Sequence, residues 1–248
     1  MSELDPKKHI AKYRNIASGY AFSNVIKSEP YVDEAIRILE TRLDQHAEQN
    51  KPVNFDHWFN YFRFDVLGEV TFSQRFGFLD EGRDIGNAIA NTRVLGIYIA
   101  IIGHFYWLHD WLLANPLIGW LNLQPSMHIF DTTLAAVDRR SRNDDVRRDM
   151  LEQWKDTRAK YPDRMEEKEI LAAAVVNVGA GADTISATLQ AFYYYLLRNQ
   201  SAWYKLRAEI DDAQIKGELS DPVSHAQAQN LPYLQACVRY LSLAATSC

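Results

Sequence analysis

Cysteine is scarce in this chain. Cys237 and Cys248 are the only two in 248 residues, so neither a disulfide framework nor a four-cysteine zinc site can be built within one chain. An excess of one charge sign is missing too. Against 32 Asp/Glu stand 27 Lys/Arg, a formal net charge of -5, which gives no basic field for sequence-independent nucleic-acid binding. The N-terminus, Met1-Ser-Glu-Leu-Asp-Pro-Lys-Lys, has no apolar core, and no signal peptide or N-terminal anchor is expected there. No two of the seven histidines lie four apart and no His-Glu-x-x-His occurs, so a hydrolytic zinc site has no support. The Gly-x-x-x-x-Gly-Lys phosphate loop and the Gly-x-Ser-x-Gly elbow are absent as well. No stretch alternates with period two over strand length, and no period of about 20–50 residues repeats.

What is present is helical pattern in an ordinary globular composition, 47% apolar and 24% charged. Val32, Ala35, Ile36, Leu39 and Leu43 share one helix face after Ser28-Glu29-Pro30, and Asn50-Lys51-Pro52 stops it. Asn54 reads as the N-cap of a helix that buries Phe55, Trp58, Phe59, Phe62, Val66 and Val70. Gly77 and Asp80-Glu81-Gly82 mark a loop. Residues 138–169 hold ten Lys/Arg and ten Asp/Glu, the pattern of a solvated helix face with i,i+4 pairs. Long helices are expected over about 166–199 and 201–213. The fold class is all-α, in one domain.

Residues 94–124 are the most apolar part, interrupted by His104, His109 and Asp110. They do not supply the roughly 20 consecutive apolar residues of a spanning helix. One reading is a buried helix pair. The other is an aromatic-rich element resting on a membrane surface or lining a substrate entry, with Tyr98, Phe105 and Trp107 as candidate substrate contacts.

The informative stretch is Leu171-Ala-Ala-Ala-Val-Val-Asn-Val-Gly-Ala-Gly-Ala-Asp-Thr184-Ile-Ser-Ala-Thr-Leu189. A dinucleotide-binding turn would need a third glycine at position 184, which is threonine, and no parallel strands flank it. As a helix, it carries Gly179 and Gly181, each costing about 1 kcal/mol relative to alanine. Glycines there suit a close approach by another body or a locally widened helix. The Thr184 hydroxyl can bond back to the Ala180 carbonyl, four residues earlier, or leave it free for a water. Asp183 beside Thr184 is a candidate proton-delivery pair. The equal alternative is small-residue helix packing with Asp183 solvated.

The segment Ala180-Gly181-Ala182-Asp183-Thr184-Ile185 resembles the oxygen-activating helix of the cytochrome P-450 haem-thiolate monooxygenases, whose pattern is Ala/Gly-Gly-x-Asp/Glu-Thr-Thr/Ser. Further segments match in family order: Phe64-Asp65-Val-Leu-Gly-Glu69 with Phe72 and Phe76-Gly77, Asn199 to Asp211 with its Lys-Leu-x-x-Glu-Ile core, and Leu231-Pro-Tyr-Leu-Gln-Ala-Cys237. His9-Ile-Ala-Lys-Tyr-Arg14 resembles the early helix that holds a haem propionate, although the strict arginine slot is Tyr13 and Arg14 comes one later. The flavour is fungal, near the pisatin-demethylase-like group, and the likeness covers residues 5 to about 239.

The resemblance implies the central helical portion of that fold, a single partial domain over 1–248. It would lack the N-terminal sheet region and the C-terminal haem-cysteine region. It implies haem, with His9, Arg14, Ala180 and Gly181 as cofactor-binding residues and Asp183 and Thr184 as the catalytic relay; no metal ligand is assigned. It implies oxygen insertion into an apolar small molecule of secondary metabolism, electrons from an NADPH-linked reductase, and an endoplasmic-reticulum location, with peripheral membrane contact through 94–124. Where the family has a Glu-x-x-Arg pair, this chain has Tyr240 and Leu243, and Cys248 has none of the flanks of the family's cysteine loop. The expectation is therefore a catalytically silent chain. The alternatives are a non-catalytic helical binding protein, or an incorrect gene model of a longer, active monooxygenase.

Overall fold

Polar caps set several of the helix starts. A computed structural model describes residues 5–105, 107–112, 115, 120, 128–142 and 147–245; the side chains of residues 110, 128, 129, 141, 182, 183 and 241–245 fall outside that description. Asp5 caps α1 (Pro6–Ile16), accepting from the Lys7 amide at 2.9 Å. The one-turn α2 (Phe22–Val25) leads into α3 (Glu29–Glu48). Asn54 caps α4 (Phe55–Phe72) as its sequence position predicts, accepting from the Asp56 amide at 3.0 Å. Then come α5 (Phe78–Glu81), α6 (Ala88–His104), α7 (Trp107–Trp111) and α8 (His128–Arg142). Asp149 caps α9 (Met150–Lys160), and a Glu166/Glu169 capping box opens α10 (Glu167–Arg198). The chain continues through α11 (Gln200–Ile215), α12 (His225–Ala228) and α13 (Pro232–Ala245). No strand occurs among the described residues, so the all-α expectation holds.

The core lies where α10 runs along α4, flanked by α3, α8 and α9. Phe59, Phe64 and Leu67 of α4 meet Leu39 of α3, Leu151 and Trp154 of α9, and Ala173, Ala174 and Val178 of α10. Each large apolar side chain buried this way contributes about 1.5–3 kcal/mol. Trp154 is fully buried and donates its indole N–H to the Ile16 carbonyl at 3.1 Å, tying the turn after α1 to α9.

The Phe64-to-Gly77 motif is a folding device. The Asp65 carboxylate accepts the amides of Gly77, Phe78 and Leu79 at 2.7, 3.2 and 2.8 Å. Burial pushes its carboxyl up, against the three N–H groups that pull it down. These bonds wind the expected loop after Gly77 into the single turn α5. Ser73 sits in the left-handed region at φ 56° and folds the chain back, so the Gln74 carbonyl covers Gly68.

Three expectations need correction. The charged run is not all solvated: Arg140 and Asp149 are both buried and pair at 3.0 Å. Asp149 also accepts from the Ser73 hydroxyl at 2.8 Å, and Arg147 reaches Glu69 at 3.2 Å, so the run is riveted to the end of α4. Second, the described part of 94–124 is not a buried helix pair. Val94, Ile97, Ile99, Phe105, Trp107 and Trp111 are all exposed. Third, counting uninterrupted apolar residues understates the hydrophobicity. Ile85–His104 and Glu167–Arg198 are each long and apolar enough, by length and composition alone, to cross a membrane. The second of these is the core helix α10.

A β-carbon on Gly68 would lie 2.4 Å from the Gln74 backbone oxygen, which cannot rotate away. Gly68→Ala should lose about 1–3 kcal/mol through overpacking, outweighing a helix-propensity gain of about 1 kcal/mol. The readout is a lowered urea midpoint at unchanged slope.

Asp56 makes a second prediction. Burial alone would raise its carboxyl pKa, but hydrogen bonds from Arg93 of α6 and Gln190 of α10, with the Arg93 charge, outweigh burial and hold it below the usual range. A depressed pKa means the native state binds this proton less readily than the unfolded chain. Its stabilisation is complete above the ordinary carboxylate range and is lost as pH falls through the lowered value. Asp56→Asn should remove that part of the acid dependence in urea melts between pH 7 and pH 2.

Candidate functional site

The candidate site is the middle of α10. Its rotation is set by polar anchors on the buried side. Asn177 donates to the buried Thr71 hydroxyl of α4 at 2.7 Å and accepts from the Tyr20 hydroxyl at 3.3 Å. Two turns on, buried Ser186 accepts from Gln190 at 2.8 Å, and Gln190 donates to Asp56 at 3.0 Å. These contacts turn the opposite side outward. Val176, Ala180, Thr184 and Ala187 are exposed and recur at four, four and three residues, one helical stripe of small and apolar side chains.

The two glycines separate. A β-carbon on Gly181 would lie 3.2 Å from Leu67 Cδ2, so Gly181 serves the close approach of α4. A β-carbon on Gly179 would meet nothing within 4 Å. The helix stays α-helical throughout, with no local widening. Thr184 Oγ1 donates to the Gly181 carbonyl at 3.1 Å, three residues back and not the expected four to Ala180. Both reaches are open to a helical threonine. Asp183 lies on the helix, but its side chain is outside the described residues.

His9 and Arg14 are both exposed on α1. That helix abuts α9 and, through Lys12–Glu169 at 3.9 Å, the first turn of α10. Asn15 donates to the Arg164 carbonyl at 2.7 Å, just before α10 begins. Neither the His9 nor the Arg14 side chain has a hydrogen bond or ion pair among the described residues. Ala180 thus sits on the open face, Gly181 faces α4, and His9 and Arg14 stay on α1. Sequence reasoning missed Asn177, Gln190 and Asp56 as positioning groups. The available signal was a lone polar residue inside Val175-Val176-Asn177-Val178.

A family profile of cytochrome P450 matches residues 3–239. The chain belongs to the cytochrome P450 family. It is 33% identical over 245 residues to a cytochrome P450 monooxygenase of Aspergillus terreus, covering 95% of this chain and 50% of that protein. It is 31% identical over 254 residues to quiannulatic acid synthase of Emericella variicolor, with 95% and 50% covered. A cytochrome P450 monooxygenase of Emericella nidulans is 33% identical over 248 residues, with 95% and 48% covered. The chain spans about half the length of these curated relatives.

The cytochrome P450 family implies haem, and the described residues fit one half of such a site. Val176, Ala180 and Thr184 are exposed and uncharged, as a face for a planar macrocycle requires. The ligand half does not fit. Burial, then the Glu209 charge, push the Cys237 thiol up, the reverse of what an iron-binding thiolate needs. Cys248 lies outside the described residues. No group of three His, Cys, Asp or Glu converges among the described residues.

The glycine geometry makes a paired prediction. Gly179→Ala should stabilise the chain by up to about 1 kcal/mol, because the added methyl gains helix propensity and meets nothing. Gly181→Ala must displace Leu67 and should gain less or lose. Parallel urea titrations give both values.

Proposed function

We propose that this chain is the oxygen-activating helical portion of a fungal haem-thiolate monooxygenase, one that inserts an oxygen atom into an apolar small molecule of secondary metabolism. The observation that carries the reading is the outward stripe of Val176, Ala180 and Thr184 within the Ala-Gly-x-Asp-Thr motif. Its placement near the pisatin-demethylase-like group is part of the same inference. So are an NADPH-linked reductase as electron source and residence at the endoplasmic-reticulum membrane.

Haem, when bound, would supply dioxygen activation and oxygen insertion. The protein's own residues supply room and protons. Ala180 keeps the wall flat, since any larger side chain at its position would stand out from the stripe. The Thr184 hydroxyl spends its hydrogen on the Gly181 carbonyl, which leaves its oxygen lone pairs able to accept a proton donor on the open face. A water held by that oxygen would be the proton carrier, and Asp183, next in the chain, would pass protons from solvent to that water. His9 and Arg14, exposed on α1, would hold the propionates by charge-assisted bonds.

The axial cysteine sets the test. The 248 residues alone, given haemin, reduced and exposed to carbon monoxide, should show no thiolate-type Soret band. The same sequence inside a longer chain that carries a Glu-x-x-Arg pair and a Phe-x-x-Gly-x-x-x-Cys-x-Gly loop should show it. In that longer chain Ala180→Trp should abolish the band while leaving the helical signal intact. A thiolate band from the 248 residues, or an Ala180→Trp variant that binds haem normally, would overturn the reading.

A further inference from the structure

The end of α10 meets α11 and α13 around an open cavity of about 680 Å³. Its first wall residue on α10, Phe192, lies about 12 Å along the helix axis beyond Thr184, at about 1.5 Å per residue. The cavity is therefore separate from the stripe through Ala180 and Thr184. Its size suits a small organic molecule. The wall is aromatic. Phe192, Tyr194 and Tyr195 come from α10, and Tyr233 and Tyr240 come from α13. Tyr194 and Tyr195 stand edge to face with ring centroids 5.5 Å apart, and both are exposed. Leu196 is the one large aliphatic side chain in the wall among the described residues.

The charge at this cavity has one sign. Arg198 is the charged residue of the wall among the described residues. It donates one N–H to the Tyr194 hydroxyl at 2.5 Å and meets no carboxylate among the described residues. Lys205 of α11 stands 4.5 Å over the Tyr233 ring, again with no carboxylate partner among the described residues. Glu209, whose charge reaches Cys237 in the wall, is already committed. It caps α13, accepting the Tyr233 and Leu234 amides at 2.8 and 2.9 Å.

We propose that this cavity binds a planar aromatic carboxylate, with its ring among the tyrosines and its carboxylate on Arg198. A flat ring gains both face and edge contacts from aromatic walls. A guanidinium matches a carboxylate with parallel N–H donors, and no acid has to be displaced from Arg198 first. An acyl chain would find one aliphatic contact here, Leu196, where it needs many. A neutral arene would cover Arg198 without pairing it, which costs free energy. The proposal depends on neither haem nor the proposed oxygen chemistry.

Cys237 in the wall is half-buried and provides the readout. The 248-residue chain carrying Cys248→Ser has this thiol alone. Naphthoate should slow its alkylation by N-ethylmaleimide in a saturable way. The neutral naphthamide should bind about tenfold more weakly, the worth of one charge-assisted hydrogen bond. Arg198→Gln should erase that preference. Ala236→Trp alters an exposed position of the wall, so its melt should match the parent while naphthoate protection is lost. Failure of naphthoate to protect the folded parent overturns the proposal. So does a naphthamide that binds as tightly, an Arg198→Gln variant that keeps the preference, or an Ala236→Trp variant protected like the parent. Protection that rises with protein concentration alone, and that naphthoate does not change, would assign the cavity to a second copy of the chain instead.

Discussion

The packing of α10 on α4 is the contact on which the rest of the structure depends. It joins helices far apart in the chain, and it fixes how the longest helix is rotated. Ala173, Ala174 and Val178 supply apolar burial on that face, which is non-directional and would tolerate some rotation. The polar bonds remove that freedom. Asn177 to Thr71 and Gln190 to Asp56 are directional, and leaving the buried Thr71 without its partner costs about 1–3 kcal/mol. Gly181 lets Leu67 come close enough for both bonds to form at once. The outward stripe of Val176, Ala180 and Thr184 is the other side of that same constraint.

Helix α4 carries a comparable load at its C-terminal end. Asp65 gathers three amides of the following turn, Gly68 leaves room for the returning Gln74 carbonyl, and Glu69 meets Arg147. The Asp-x-x-Gly-Glu segment is therefore architecture and not chemistry. Its polar residues are chosen for what they cap. The buried Arg140–Asp149 pair extends the same logic to the start of α9. Breaking one partner of such a pair leaves an uncompensated charge, which is why a mixed-charge run can look solvated and yet be structural.

Two surfaces are left apolar by this arrangement, for different reasons. The α10 stripe consists of small, uncharged side chains with the Thr184 hydroxyl among them, the face that the proposed function assigns to a planar ligand. On α6, Val94, Leu95, Ile97, Ile99 and Ile101 are exposed, and α7 adds exposed Trp107 and Trp111 beside His109.

The sequence by itself determined the all-α class, the family and the starts of the helices that open after Ser28, at Asn54 and near Glu166. The Asn54 cap, the 3.6-residue period and an ordered run of motifs are local, and local signals survive without a fold. Tertiary structure alone decided which way each helix faces. Gly179 and Gly181 look alike in the sequence, yet one meets open space and the other Leu67. Arg140 reads as a surface charge until Asp149, Glu152 and the Arg147 carbonyl engage it. The apolar run in 94–124 reads first as a buried helix pair, because composition records how apolar a helix is and not what lies against it. Burial and rotation come from contacts between residues distant in the chain, and a one-dimensional pattern does not specify which of them meet.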